Sequence, residues 1–232
     1  MSYTYLISGL EDLRAGQQPK MSLADFMNLL QEQLTDNDMK LIELLQMKND
    51  DPVIMENWEQ EATQDRFAES IVSEADFRTQ LLYEYGMRSH NKFVRKWFAF
   101  NLDLNNVMAA SICQKHGYDI SRAIVGENEV AQLLRKGGLN KNSSLAAVLP
   151  ELGDIVALTN IDNLLDRERA IDNLRWQWLE DTTLFCYFEI DNVLAYFLKM
   201  KILDRWSGLS VEHGEEVFRG ILADMKRDVK FA

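Results

Sequence analysis

The sequence predicts an all-α protein built from repeated helix hairpins. Only 3 of its 232 residues are proline and 11 are glycine, so long stretches lack the residues that interrupt helices. Apolar residues recur at helical spacing in these stretches. Hydrophobic residues make up 47% of the chain, which is enough for a substantial core. We therefore expect residues 1–232 to form a single all-helical domain, with a possible sub-division near residues 140–145.

The first forty residues predict a short extended segment followed by a helix hairpin. Residues 3–7 read as a short strand or another extended segment. Ser22 and Asp25 then form a variant of the capping box at the start of an apolar-periodic stretch. Thr35 offers a second helix start thirteen residues later. Two closely spaced starts predict two helices joined as a hairpin.

The middle of the chain predicts one long helix over residues 77–116, kinked near Gly86 or Ser89. Three shorter features follow: an irregular or briefly helical segment at 118–125, a helix at 127–135 that ends at Gly137 and Gly138, and a linker at 141–144.

The last third predicts three further helical stretches. Residues 150–181 are helical and charged, and residues 182–206 are apolar on nearly all sides, as is typical of a central buried helix. Ser210 can cap a last helix whose acids come early and whose bases come late, an order that suits the helix dipole. The packing residues expected in the first of these stretches are Leu164, Leu165, Leu174, Trp176 and Trp178.

Charge and hydropathy limit the partners. The net charge of −12 argues against nucleic acid, whose phosphates require a basic surface. The most apolar window, 184–203, contains four charged residues, which argues against direct lipid insertion. The N-terminus lacks the features of a signal peptide, so we expect a soluble, cytoplasmic protein. The stretch 50–76 holds nine acids and one base and reads as a solvated face or as a docking surface for a basic partner.

A short element occurs twice in the sequence. Residues 98–109 read Phe-Ala-Phe-Asn-Leu-Asp-Leu-Asn-Asn-Val-Met-Ala, and residues 187–196 read Tyr-Phe-Glu-Ile-Asp-Asn-Val-Leu-Ala-Tyr. Both copies place aromatic residues, an acid and then Asn-Val-x-Ala inside apolar, helix-like stretches. Such a repeat indicates duplicated helix hairpins. Polar side chains at these positions are expected to form hydrogen bonds with neighbouring helix ends, because an unpaired buried polar group costs about 1–3 kcal/mol.

The sequence predicts no catalytic residue, no cofactor, no metal site and no small-molecule substrate. It contains no phosphate-binding glycine loop, no zinc-ligand cluster and no nucleophile elbow. Asp162 and Asp166 stand at i and i+4, which could place two magnesium ligands on one helix face, but a solvated pair beside Arg167 and Arg169 is favoured. Cys113 and Cys186 both read as small buried hydrophobic residues.

These elements resemble a known family. The segments 103–107 and 191–199, with the final helix, are similar to the C subunit of V-type (archaeal/vacuolar-type) rotary ATPases, called subunit d in vacuolar enzymes. The opening residues 3–10 resemble the start of short C-like proteins encoded with bacterial V-type ATPase operons, especially in Bacteroidetes. The resemblance implies an all-α funnel that sits as a socket between the membrane rotor ring and the central stalk, transmits torque and catalyses nothing. The residues that map to the family's packing motif are Asp103, Asn106, Asp191 and Asn192.

Full-length members of that family carry three repeat units, whereas two copies of the element are readable here, so one unit is expected to be missing or eroded. The resemblance implies that the partners are the central-stalk subunits and the rotor ring, and that the protein is peripheral on the cytoplasmic face of the membrane. Two other hypotheses remain open: a generic helical adaptor or regulatory scaffold that binds through its acidic face, and a helical enzyme using magnesium at Asp162 and Asp166.

Overall fold

The computed structural model describes residues 2–62, 67, 72–139 and 144–208, without the side chains of residues 61 and 62. These residues confirm the predicted fold class, because they form α-helices and one 3-10 turn and contain no strand. The helices are α1 (Thr4–Gly9), α2 (Leu23–Gln33), α3 (Asp36–Gln46), α4 (Pro52–Ala62), α5 (Glu74–Met87), α6 (Lys92–His116), the 3-10 turn Ile120–Arg122, α7 (Glu129–Gly137), α8 (Leu145–Val148), α9 (Leu152–Leu158), α10 (Leu164–Thr183) and α11 (Ile190–Ser207).

The described residues divide into two compact units. The terminal unit contains residues 2–39 and 176–208, and the central unit contains the described residues from Lys40 to Arg175. Helices α3 and α10 contribute residues to both units. The sub-division expected near 140–145 stays a prediction, because residues 140–143 lie outside the described part of the chain.

The predicted extended segment at the N-terminus is wrong, because residues 4–9 form α1. A strand would place Tyr3 and Tyr5 on one face. Instead Tyr3 and Leu6 are buried and Tyr5 is 94% exposed, which is the i, i+3 spacing of a helix. The Ile7 amide donates to the Tyr3 carbonyl, so the segment satisfies its own backbone without a strand partner.

The two helices predicted after Ser22 and Thr35 are confirmed as α2 and α3, with both starts where the sequence places them; their packing as a hairpin stays a prediction. Ser22 Oγ accepts a hydrogen bond from the Asp25 amide, and Thr35 Oγ1 accepts one from the Asp38 amide. In the terminal unit α2 packs against α11, where the rings of Phe26 and Tyr196 lie 4.9 Å apart.

The central unit is built around α6, a helix of 25 residues that packs against α5, α7 and α9. The prediction of one long, kinked helix over 77–116 is wrong, because α5 ends at Met87 and Asn91 begins a separate helix, α6, by accepting a hydrogen bond from the Val94 amide. The break lies where the sequence predicted a kink. A Cβ on Gly86 would lie 2.3 Å from the Phe98 ring, so glycine allows α5 and α6 to approach closely.

Four expectations for the last third of the chain are wrong in detail. Residues 150–181 contain two helices separated at 159–163, and Leu164 and Leu165 are exposed rather than packed. Asp162 precedes α10, so it does not share a helix face with Asp166, and Asn163 caps the helix instead. The predicted helix over 182–206 is interrupted, because residues 184–189 form a turn and α11 begins only at Ile190.

Several expectations lie outside the described residues. These are the linker at 141–143, the last helix after Ser210 and the middle of the acidic stretch 50–76. Among the described residues, no helix is both long enough and apolar enough to cross a bilayer.

Candidate functional site

Asn106 joins α6 to the loop that follows it. Its side chain is 2% exposed, and both of its amide atoms are used. Nδ2 donates to the Val125 carbonyl at 2.8 Å, and Oδ1 accepts from the Val125 amide at 2.9 Å. The side chain therefore pairs with the backbone of one residue in both directions, which satisfies two buried backbone groups at once.

Asp103 joins the same helix to the start of α7. Asn128 caps α7 through Oδ1, which accepts from the Ala131 amide at 2.9 Å, and its Nδ2 donates to Asp103 Oδ1 at 2.7 Å. Burial raises the pKa of the Asp103 carboxyl to about 6; the hydrogen bond from Asn128 opposes this rise, and the charge of Glu151 adds to it. Asp103 therefore holds a helix N-cap in place.

A polar cluster lies beside these two residues; the sequence predicted a helix contact for Asn105 but identified neither Asn101 nor the distant partners. Asn105 Nδ2 donates to the Tyr83 hydroxyl at 2.6 Å, and Asn101 Oδ1 accepts from Arg175 Nε at 2.9 Å. Arg175 is also paired with the buried carboxylate of Asp172 at 3.2 Å. The position of Asn101 four residues before Asn105, in the same apolar helical stretch, was a signal that could have identified it, whereas nothing in the sequence indicated their partners on α5 and α10.

The second copy of the element lies in a different position on its helix. Asp191 and Asn192 are in the first turn of α11, whereas Asp103 and Asn106 lie in the middle of α6. Asn192 Nδ2 donates to the Cys186 carbonyl at 3.1 Å and thereby holds the turn that precedes α11. The aromatic residues of this copy, Tyr187 and Phe188, are in that turn rather than in a helix.

The turn between α10 and α11 exposes apolar side chains that sequence reasoning placed in the core. We call these four residues the aromatic ridge; they are Leu184, Phe185, Tyr187 and Phe188, exposed by 60%, 81%, 69% and 39%. Phe188 adopts φ +60°, a left-handed conformation that is rare for bulky residues. The turn contains no glycine or proline to signal an interruption of the helix.

A cleft of about 300 Å³ lies next to this turn within the terminal unit. Asn192 lines the cleft and also donates to Cys186 in the turn. Burial raises the pKa of Tyr196 to about 12, and the charge of Glu11 adds to the rise. The lining residues are Ile7, Leu10, Glu11, Asp12, Leu13, Asn192, Tyr196 and Lys199.

Within the described residues, one group of side chains has the spacing of metal ligands. Cys186 Sγ and carboxylate oxygens of Glu189 and Asp191 all lie within 4.8 Å of one another. Cys186 is half-buried, in contrast to the prediction that it is a buried core residue, whereas Cys113 is buried as predicted. Exposed acidic groups are common without a metal, so this cluster does not by itself define a site.

The fold and these contacts define a helical protein whose buried polar side chains hold helices to loops. The chain belongs to the family described as "Protein of unknown function (DUF2764)", whose model matches residues 1–77 and 61–229. No curated protein and no solved structure matches the chain.

Proposed function

We propose that the protein is a non-catalytic coupling subunit in the central rotor of a V-type rotary ATPase. In this role it links the central-stalk subunits to the membrane rotor ring and transmits torque between ATP synthesis or hydrolysis and ion transport. It is held on the cytoplasmic face of the membrane through these protein partners, without inserting into lipid.

The observation that carries the proposal is the set of hydrogen bonds made by the first copy of the repeated element. The resemblance to the V-type C subunit assigns Asp103 and Asn106 to a packing motif. In the structure Asn106 pairs with the Val125 backbone, and Asp103 holds the N-cap of α7. Both side chains serve as helix-to-loop contacts, which supports a packing role at these positions.

The arrangement of α6 also suits a subunit that bears torque. Force is carried well by helices whose contacts cannot slide, and buried polar pairs fix register more strictly than apolar contacts do. The central unit fixes α6 with one buried pair, to Val125 in the following loop, and with a part-buried bond from Arg175 on α10 and an exposed bond to Tyr83 on α5.

Co-purification tests the proposal directly. The full chain would be tagged at its C-terminus, native membranes would be extracted in mild detergent, and the recovered proteins would be identified and quantified. We expect stalk and rotor-ring subunits in stoichiometric amounts. A tagged chain added to an untagged extract after lysis controls for association in the extract. Recovery of the chain as a free monomer from an extract that contains intact ATPase would overturn the proposal and favour the adaptor hypothesis.

A coupling assay separates a rotor role from mere association. Membranes from cells that lack the chain should retain ATP hydrolysis by the catalytic head but lose ATP-driven ion transport, because torque no longer reaches the ring. Unchanged ion transport per ATP hydrolysed would contradict a coupling role even if the chain co-purifies.

A further inference from the structure

Among the described residues, the aromatic ridge is a run of exposed apolar side chains that the proposed packing role leaves unexplained. Three of its side chains, Leu184, Phe185 and Tyr187, are at least 60% exposed and lie within four consecutive residues. Scattered exposed apolar residues are normal on protein surfaces, but contiguous ones mark interaction sites. Large aromatic side chains also supply much of the binding energy at protein interfaces.

The ridge is held in a defined conformation from both sides. The Tyr3 amide donates to the Phe188 carbonyl at 2.8 Å, and Asn192 donates to the Cys186 carbonyl at 3.1 Å. Phe188 keeps φ +60°, a conformation that persists only where surrounding contacts enforce it. A surface that is ordered before binding loses little entropy when a partner docks.

The surroundings of the ridge are acidic. Between residues 180 and 191 the sequence contains four acids and no lysine, arginine or histidine. The adjoining cleft adds Glu11 and Asp12, while the cleft's Lys199 is paired with Glu180 at 3.3 Å. An apolar centre with a charged border is the usual anatomy of a protein interface, and here the border is negative.

We propose that the aromatic ridge docks into an apolar cleft that is bordered by lysine or arginine side chains on a protein partner. The inference rests on the proposed function, so the partner is one of the stalk or ring subunits of the rotary ATPase. The choice of a basic border follows from charge complementarity, which steers association and excludes partners with an acidic border.

Removal of the two most exposed aromatic side chains tests the apolar centre. The full chain with Phe185→Ser and Tyr187→Ser would be compared with Tyr118→Ser, which removes an exposed aromatic side chain from the central unit. Recovery of ATPase subunits per tagged chain should fall at least about tenfold for the double variant, because central aromatic contacts dominate interface energies. It should be unchanged for the control.

Reversal of one border charge tests the acidic rim. Glu189→Lys changes an exposed acid at the N-cap of α11 that has no side-chain capping bond. Glu129→Lys makes the same change at the N-terminus of α7 in the central unit. We expect Glu189→Lys to lower recovery about threefold to tenfold and to make binding less sensitive to salt, whereas Glu129→Lys should do neither.

The outcomes distinguish this inference from the function on which it rests. If the wild-type chain recovers no ATPase subunit, the proposed function is overturned and the docking proposal falls with it. If the wild-type chain and the double variant recover the same amount, the ridge proposal alone is overturned. If the double variant instead abolishes a concentration-dependent dimer in sedimentation without altering ATPase recovery, the occupant is a second copy of the chain, and the proposal is wrong.

Discussion

Asn106 and Asn192 come from the two copies of the repeated element, and each fixes a loop through its side-chain amide, but at different depths. Asn106 is almost completely buried and uses both amide atoms on Val125. Asn192 is half-buried and donates to the Cys186 carbonyl at the start of its helix. The same residue type therefore contributes a core contact in the central unit and a near-surface contact in the terminal unit.

The loops that these residues hold differ in the same way. The first loop turns Ile124 and Val125 into the core, where they are 0% and 8% exposed. The second loop turns Phe185 and Tyr187 outward. A repeated packing element can therefore bury the loop that it holds in one unit and expose it in the other. We expect the two regions to differ in stability and in pH response, and four variants test this difference.

The largest effect is expected for Asn106→Ala. The substitution leaves the buried amide and carbonyl of Val125 without partners, and each orphaned group costs about 1–3 kcal/mol. We expect a loss of about 3 kcal/mol in the free energy of unfolding, measured by chemical denaturation. Asn105→Ala is the matched control, because Asn105 is exposed and makes one bond to Tyr83; it should cost less than about 1 kcal/mol. Equal losses from the two variants would contradict the comparison.

A second prediction tests whether the tight packing around α6 extends to the backbone. Gly86→Ala would place a Cβ 2.3 Å from the Phe98 ring, so the ring or the helix must move, at a cost of about 1–2 kcal/mol. Gly153→Ala in α9 is the control, since a Cβ there meets nothing within 4 Å, and it should stabilise by about 0.5 kcal/mol. Partial rescue of Gly86→Ala by Phe98→Leu is expected, and its absence would locate the strain elsewhere.

The third prediction concerns pH and applies to the first copy of the element. The pKa of Asp103 is raised from 3.8 to about 6 in the folded protein, so between these values the native state binds the proton more tightly than the unfolded state. The contribution of Asp103 to stability is therefore greatest at low pH and declines as pH rises from about 4 to 6. After allowance for the partial exposure of Asp103, this contribution to the free energy of unfolding falls by about 1–2 kcal/mol over that pH range.

Asp103→Asn isolates this contribution. The amide keeps an acceptor for Asn128 but carries no charge, so the variant should be more stable than the wild type at pH 7.5. The difference between the two unfolding free energies should shrink toward zero as pH falls from 6 to 4. A difference that stays constant with pH would show that the carboxyl does not titrate in that range.

Local signals in the sequence predicted part of this structure correctly. Ser22 and Thr35 begin helices as predicted, because N-capping is decided by side chains within three residues of the cap. The same reasoning could have placed the start of α6, since Asn91 caps it, but the apolar periodicity of residues 77–116 continues across the break, so the sequence predicted a kink there rather than two helices. Periodicity indicates that residues are helical without showing whether two helices meet end to end or fold back on each other.

The aromatic ridge could not be predicted, because its cause is not local. No glycine or proline interrupts residues 182–206, and aromatic residues in an apolar window indicate a core helix. The turn is supported by the bond from Tyr3 to Phe188, and those two residues are 185 positions apart in the sequence. Similarly, the sequence of residues 3–7 does not distinguish a helix, which buries Tyr3 and Leu6, from a strand, which would place Tyr3 and Tyr5 on one face.

Asn192→Ala is expected to have the smallest effect on the free energy of unfolding. Its effect should be confined to the turn that precedes α11. One part-buried hydrogen bond is lost, so the free energy of unfolding should fall by about 1 kcal/mol. Because this bond holds the turn rather than the core, the change should appear as faster amide exchange at residues 186–189 and at the Tyr3 amide, whose acceptor is Phe188. Asn49→Ala, which removes an exposed bond to Thr79, should leave exchange at these amides unchanged. Uniformly faster exchange throughout the terminal unit would mean that Asn192, like Asn106, supports a core, and the contrast between the two copies would then disappear.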